Sequence, residues 1–360
     1  MTKFDMNDRA TRRKVFWQLQ RLTSYSLWER KRDAWERFTR AYENAIRTWP
    51  KSQPEQVEAD SLASIYNVLS LYNKGLDELA KGRRHVWRID QPLNEAWMGS
   101  VSRHANLYRH PAYWERGVQI APWPPKIEDL NQALLASLYQ GDESPLEVDP
   151  QRPVPIANCT GPGLLLDPER YEYEFYALPY PVFPDPLPEL PEASEVVIAS
   201  GDTVPVDGIW EPVRNRQTRL LGIIPVGEKA YENNGCFNYF TKDTIAPKMS
   251  GYNASAGRAE YVHTHWRLLW EDTRYKDGVV PDESAYFLEP KPAKQTTVAT
   301  SDIEVKTGDV CPVSGLWVPK EYDRAPVRFE AGTVMPDLLV SDSLGEQIVH
   351  WVVWRLVRAE

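Results

Sequence analysis

A 13-residue pattern that occurs twice in the C-terminal half constrains the fold more than any other feature of this sequence. Residues 200–212 read SGDTVPVDGIWEP and residues 307–319 read TGDVCPVSGLWVP, with 7 of 13 positions identical. Each copy places glycines at turn positions and a tryptophan in the strand that should follow. A second correspondence, HWRLL at 265–269 and VWRLV at 353–357, has the alternation of a strand. We therefore predict two β modules, 200–270 and 307–358, that pack into one β-rich domain with Trp210 and Trp317 in equivalent core positions.

The first 140 residues have a different, helical periodicity. Large apolar side chains recur at three- and four-residue steps from Asp8 to about Arg47, with a break expected near 23–26. Further helices are predicted up to about Lys81, with Gly82 as a left-handed cap, then from Pro92 and over 127–139. Helices with short connections bury their apolar stripes against one another, so we predict a helical bundle over 1–140 and an α+β fold for the chain. We expect its basic residues to form a solvated face.

Residues 141–199 should connect the two parts. Of these 59 residues, 12 are prolines and 12 are acidic, against two basic ones. Proline lacks the amide hydrogen and fixes its own φ, so this segment should be extended. Its stretch YEYEF alternates rings with carboxylates, which in a strand puts each kind on its own face. Two interpretations stay open: an edge strand followed by a linker, or a docking surface for a basic partner.

The charge is distributed unevenly along the chain. The net charge of −9 is the sum of +6 for 1–140, −10 for 141–199 and −5 for 200–360. No run of 18 apolar residues occurs, and the charged N-terminus does not resemble a secretory signal. The three cysteines are far apart and odd in number, which argues against a disulfide framework. These features predict a cytoplasmic protein that does not bind membranes.

The sequence gives no positive indication of catalysis. Phosphate-binding glycine loops, the GxSxG motif, HExxH and CxxC do not occur in it. His263 and His265 would face the same side of a strand, where Cys236 or Asp272 could complete a metal site, but a packed histidine pair is the stronger interpretation. We therefore predict no catalytic residues, no metal, no cofactor and no enzymatic activity.

One resemblance adds to this interpretation. The stretch TGDVCPVSGLWVP, RFEAGTVMPD after it and the closing VHWVVWRLV, behind a helical region with WERKRDAWERF, resemble immunity families 71 and 72 of bacterial polymorphic and type VI-secreted toxins. The first copy departs from the pattern, since Val204 and Asp207 stand where the second has Cys311 and Ser314. The resemblance implies a non-enzymatic cytosolic protein that binds and blocks a cognate toxin.

Charge narrows the expected partner. Nucleases need basic surfaces to hold phosphates, so an acidic, ring-rich inhibitor suits a nuclease toxin, whose active or substrate-binding surface it would mask. The alternatives are a toxin-associated adaptor or chaperone that binds without inhibiting, a nucleic-acid-binding protein that uses the basic helices around 9–14, and an enzyme of unfamiliar type. The residues predicted to contact the partner are Tyr171, Glu172, Tyr173, Glu174, Tyr180, Asp202, Glu211 and Asp309.

Overall fold

The structure is a computed structural model of the 360-residue chain. It describes residues 4–48, 59–106, 114–116, 118–119, 127, 130–131, 133–134, 154–168, 180–192, 194–215, 218–220, 224–226, 231–253, 258–289, 303–341, 347–350 and 352–359. Its helices are α1 (Arg9–Leu22), α2 (Tyr25–Thr48), α3 (Ser61–Leu79), α4 (Pro92–Asn106) and the single turn α5 (Gly163–Leu166).

The helical boundaries follow from local chemistry. Asp8 caps α1, where its carboxylate accepts a hydrogen bond from the Thr11 amide at 2.8 Å. The predicted break before α2 is confirmed at 23–24, where the Thr23 and Ser24 hydroxyls bond back to carbonyls of α1. Gly82 has a φ of +74°, the left-handed conformation expected of it. In the fourth predicted helix, the described residues 127, 130, 131, 133 and 134 are helical.

The strands follow the helices along the chain, except for the short pair β1 (Trp114–Glu115) and β2 (Val118–Gln119). A first group lies between residues 197 and 271: β3 (Val197–Ala199), β4 (Gly208–Asn215), β5 (Thr218–Leu220), β6 (Ile224–Val226), β7 (Tyr231–Asn233), β8 (Asn238–Phe240), β9 (Met249–Asn253), β10 (Arg258–Val262) and β11 (His265–Glu271). A second group begins at 304: β12 (Glu304–Lys306), β13 (Gly315–Pro319), β14 (Val327–Phe329), β15 (Leu338–Ser341), β16 (Gln347–His350) and β17 (Val353–Ala359). Helices followed by antiparallel strands confirm the predicted α+β class.

Most strands of each group form one antiparallel sheet, while β5-β6, β9-β10 and β15-β16 form separate two-stranded sheets. The first sheet has the order β3-β11-β4-β7, with β8 also paired to β4. The second sheet has the order β12-β17-β13-β14. β4 and β13 carry the two copies of the tryptophan motif, and each pairs with the strand of the second correspondence, β11 or β17. We call the first group with its turns segment A (197–271) and the second group segment B (304–359).

The two segments have matching hydrogen bonds and close contacts. A Cβ on Gly208 or Gly315 would lie 2.1 Å or 2.2 Å from a carbonyl oxygen, of Trp270 or Arg358 respectively, so both positions require glycine. In both segments a tryptophan indole donates to a proline carbonyl and a glycine amide donates to a residue after β8 or β14. The pairs are Trp266 to Pro247 at 2.8 Å and Trp354 to Pro336 at 3.0 Å, then Gly201 to Ala246 at 2.8 Å and Gly308 to Met335 at 2.9 Å.

Buried apolar side chains form three clusters. The largest joins the helices to segment A, because it contains Ile209, Phe237 and Leu269 beside residues of all four long helices. The second cluster surrounds Trp210 within segment A, and the third surrounds Trp317 within segment B. Both tryptophans are fully buried, which confirms their core role. The described residues of segments A and B thus form separate apolar clusters around their tryptophans. The domain boundaries near 140 and 199 stay predictions.

Candidate functional site

The predicted contact residues occupy different environments. Tyr171, Glu172, Tyr173 and Glu174 lie outside the described residues. Tyr180 is half-buried, and its hydroxyl donates to the Leu166 carbonyl at 2.8 Å. Burial raises the pKa of this phenol above its usual value. Tyr180 therefore packs within the molecule.

The prediction that Glu211 is an exposed acid is wrong. Its side chain is 0% exposed and lies on the face of β4 that meets α1. Arg12 of α1 donates to one carboxylate oxygen at 3.1 Å, and Arg267 of the adjacent β11 donates to the other. A carboxylate in this position connects helix and sheet and is closed to a partner.

Asp202 and Asp309 are exposed, as predicted, at corresponding turns of the two segments. One carboxylate oxygen of Asp202 accepts from the Ala199 amide at 2.7 Å. The carbonyls of Asp202 and Asp309 accept from Ala246 and Met335, both at 2.8 Å. The backbone of these residues is thus fixed by the turn, while the carboxylates face solvent and could meet a cationic surface.

The basic residues of the helices form the predicted solvated face only in part: Arg9 and Arg30 are exposed, whereas other basic residues of α1 contact distant parts of the chain. Arg12 binds Glu211, and its guanidinium lies 5.2 Å from the Phe237 ring centroid. Arg13 donates to the Pro188 carbonyl at 2.8 Å, and Arg9 pairs with Glu189 at 2.7 Å. These contacts attach residues 188–189 of the proline-rich stretch 141–199 to α1. The negative charge of Glu189 is thus compensated by Arg9 within the chain.

A buried ion cluster, which the sequence did not reveal, joins the helices to the end of segment A. Asp272 is almost fully buried and receives three charged or phenolic donors. They are Arg84 at 3.0 Å, Arg274 at 2.7 Å and the Tyr239 hydroxyl at 2.9 Å. Burial alone would raise the pKa of Asp272, but the charge and hydrogen bonds of Arg274, with those of Arg84, lower it. The cluster is therefore ionised and structural.

The possible metal site is not assembled. His263 and His265 are both exposed, whereas Cys236 is buried with its sulfur 3.3 Å from that of Cys159. Asp272 is occupied by the ion cluster. In the described part of the chain, no group of three or more His, Cys, Asp or Glu side chains is arranged to hold a metal ion. Sequence spacing suggested the histidine pair, but only the fold could place Cys236 beside Cys159.

The carboxylates considered above have two kinds of environment. Glu211 and Asp272 are buried and pair with arginines, whereas Asp202 and Asp309 are exposed at turns. Among the helices that the structure describes, not one has the length and apolar character needed to span a membrane. Among the described residues, the carboxylates of Asp202 and Asp309 and several outward side chains of segment B are accessible to a partner.

Two family models match this chain. Immunity protein 71 matches residues 6–136, the helical region, and Immunity protein 72 matches residues 189–288, which include segment A. The resemblance to immunity families 71 and 72 is thereby confirmed, and the matches support an immunity protein of polymorphic toxin systems. Neither match includes segment B. No curated protein matches the chain, and neither does any solved structure.

Such families suggest neutralisation of a cognate toxin, and they consist in general of non-enzymatic inhibitors. The stretches quoted for the resemblance came largely from segment B, whereas the Immunity protein 72 match lies on segment A.

Proposed function

We propose that this chain, in which an Immunity protein 71 region precedes an Immunity protein 72 region, neutralises its cognate toxin by binding it and masking its active or substrate-binding surface. The partner is a nuclease toxin delivered between bacteria, for example by type VI secretion. The chain acts in the cytoplasm, where its three cysteines, which are free and buried, stay reduced. The observation that carries the proposal is that two immunity family models cover both the helical region and segment A.

Charge supports a nuclease as the target. The chain has a net charge of −9 and a sequence pI of about 5.4. An acidic inhibitor is attracted to the basic surface with which a nuclease holds phosphates, and it competes with nucleic acid there. The internal use of Arg12 and Arg13 weakens the alternative in which the basic residues of α1 bind nucleic acid.

In this proposal, exposed acids and aromatic rings make the contacts with the toxin. Asp202 and Asp309 present carboxylates from corresponding turns. The alternating rings and carboxylates over 171–174 complete the acidic surface in this proposal. Glu211 is not part of it, because it is buried and paired.

Co-expression tests the function directly. The C-terminal domain of the toxin encoded beside this chain is expressed in a susceptible bacterium with and without the full-length chain. Survival together with a stable co-purified complex is expected. A complex without survival would mean an adaptor or chaperone, and absence of both would overturn the proposal.

Charge reversal tests the surface. Glu172→Lys with Glu174→Lys should slow association with the toxin domain and weaken its dependence on salt, because electrostatic steering acts on the association rate. Glu36→Lys with Glu43→Lys, a reversal of the same charge on α2, is the control and should leave the rate constant closer to that of the wild type. Unchanged kinetics in the first double variant would remove 171–174 from the interface. A purified toxin domain that degrades neither DNA nor RNA would overturn the nuclease assignment.

A further inference from the structure

The sheets of segments A and B have one face each that points away from the buried tryptophan. In segment A this outer face carries Glu211 of β4, directly opposite Arg267 of β11. In segment B the same register places Val318 of β13 opposite Arg355 of β17. The closely matched hydrogen bonds of the two segments make these positions equivalent, so the two outer faces can be compared residue by residue.

The outer face of segment A is covered by a helix. Leu269 is 4% exposed and belongs to the cluster that contains the helices. Phe16 of α1 packs edge-on against Trp270, with ring centroids 6.1 Å apart. Arg12, one turn earlier in α1, donates to Glu211. The covered state of this face thus combines an apolar stripe with one ion pair.

Among the described residues, no helix covers the outer face of segment B. Val357 corresponds to Leu269 by the register of the paired strands, and it is 48% exposed. Leu316 and Val318 are half-buried, while Arg355 and Arg358 are exposed. We call these five residues the open face. Apolar side chains side by side on one exposed sheet face are typical of a binding surface.

The charges of the open face identify the kind of partner. In segment A, Glu211 of β4 pairs with Arg267 of β11. In segment B, Val318 stands at the position of Glu211, and Arg355 stands at the position of Arg267. Arg358 of segment B likewise stands at the position that Trp270 has in segment A. Glu304, the cross-strand neighbour of Arg355, pairs with Lys320 at 3.0 Å. No carboxylate of the described residues lies within ion-pair distance of Arg355 or Arg358, so a covering partner has to bring the acids.

We propose that the open face binds an amphipathic helix of the cognate toxin, with an apolar stripe bordered by Asp or Glu. This inference rests on the proposed function and adds a second contact surface, on segment B, to the exposed acids assigned there. The helix would lie on β13 and β17 as α1 lies on β4 and β11. Its carboxylates would pair with Arg355 and Arg358, and its apolar side chains would cover Val357 and Val318.

The test measures binding between the full-length chain and the toxin domain encoded beside it. Arg355→Glu with Val357→Asp should weaken the affinity by roughly tenfold or more, since it places two acids in the centre of the interface. Val262→Asp is the matched control, because Val262 of β10 is 52% exposed but lies outside the open face. It should bind as the wild type does. Circular dichroism and the urea midpoint of both variants verify that the fold is kept.

Hydrogen exchange of the wild-type chain gives a second measurement that does not depend on any variant. Amides of 315–318 and 353–359 should become protected when the toxin domain is added. A double variant that is folded and binds with wild-type affinity, or protection confined to other segments, would overturn the open face as the site. A wild-type chain that neither binds nor protects cells would instead overturn the proposed function itself.

Discussion

Segments A and B share their strand pairing and differ in what covers one face of the sheet. Segment A lies between its own tryptophan cluster and α1, so both faces of β4 and β11 are buried. In the part of the chain that the structure describes, segment B packs within its tryptophan cluster, and Arg355, Val357 and Arg358 on the opposite face are exposed. The difference depends on few positions: Leu269 against Val357, Glu211 against Val318, and Trp270 against Arg358.

The comparison separates the residues that the two segments share from those in which they differ. The turn glycines and the inward tryptophans fix the sheet in both segments, and they are shared. The outward residues decide whether the sheet becomes a layer of a larger core or a surface. The Immunity protein 72 match covers segment A and ends at residue 288, before segment B begins. Segment B therefore lies outside both family matches.

The largest expected effect is on the ion cluster that attaches segment A to the helices. Asp272→Ala leaves Arg84 and Arg274 buried without their counter-ion, so the free energy of unfolding should fall by about 3–5 kcal/mol. Urea denaturation followed by circular dichroism measures the loss. Asp309→Ala in segment B removes an exposed carboxylate and should leave the unfolding midpoint unchanged. Equal effects of the two variants would contradict the structural role of Asp272.

The second prediction compares equivalent residues of the two outer faces. Leu269→Ala should cost about 2–5 kcal/mol, because it opens a cavity between α1 and the sheet. Val357→Ala should change stability by less than about 0.5 kcal/mol, because the side chain already lies in water. Thermal or urea unfolding distinguishes the two variants. A large loss for Val357→Ala would mean that the open face is packed against another part of the chain.

The sequence was most informative where periodicity and turn chemistry act locally. The α+β class, the break between α1 and α2, the left-handed Gly82 and the burial of Trp210 and Trp317 could all be predicted. In each case the residue type itself meets the local requirement. A glycine at a positive φ depends on local backbone geometry alone, and a tryptophan in an alternating strand is a large apolar residue that any available core buries.

The candidate site was harder to predict because charges pair across long stretches of chain. Arg12 and Glu211 are 199 residues apart, and Arg84 and Asp272 are 188 apart. Their neighbours in sequence give no sign of these partners, so α1 looked like a solvated basic face and Glu211 like an exposed acid. The fold shows that Arg12 and Arg84 pair within the chain. By contrast, Arg355 and Arg358 of segment B have no carboxylate within ion-pair distance among the described residues.

A smaller effect is expected at the contact between α1 and segment A. Arg12→Ala removes a hydrogen bond to a buried carboxylate and should cost about 1.5–3 kcal/mol. Arg267 still binds Glu211 in this variant, which keeps the loss below that of Asp272→Ala. Arg9→Ala is the control on the same helix, because its pair with Glu189 is exposed and should not contribute measurably. Urea unfolding of both variants measures the difference, and equal midpoints for Arg12→Ala and Arg9→Ala would contradict a stabilising role of the Arg12–Glu211 contact.

The smallest expected effect is the contribution of Asp272 to the pH dependence of the free energy of unfolding under acid conditions. The pKa of Asp272 in the folded chain lies below its ordinary value of 3.8, so its ionised form stabilises the fold. That stabilisation is complete above the ordinary pKa and is lost as the pH falls through the lower, folded one. Wild-type stability should therefore decrease below about pH 4 more steeply than that of Asp272→Asn, which has no carboxyl group to protonate there. Because other carboxylates titrate equally in both proteins, the difference between the two pH profiles isolates Asp272, and parallel profiles would show that this carboxylate is not held ionised by Arg84 and Arg274.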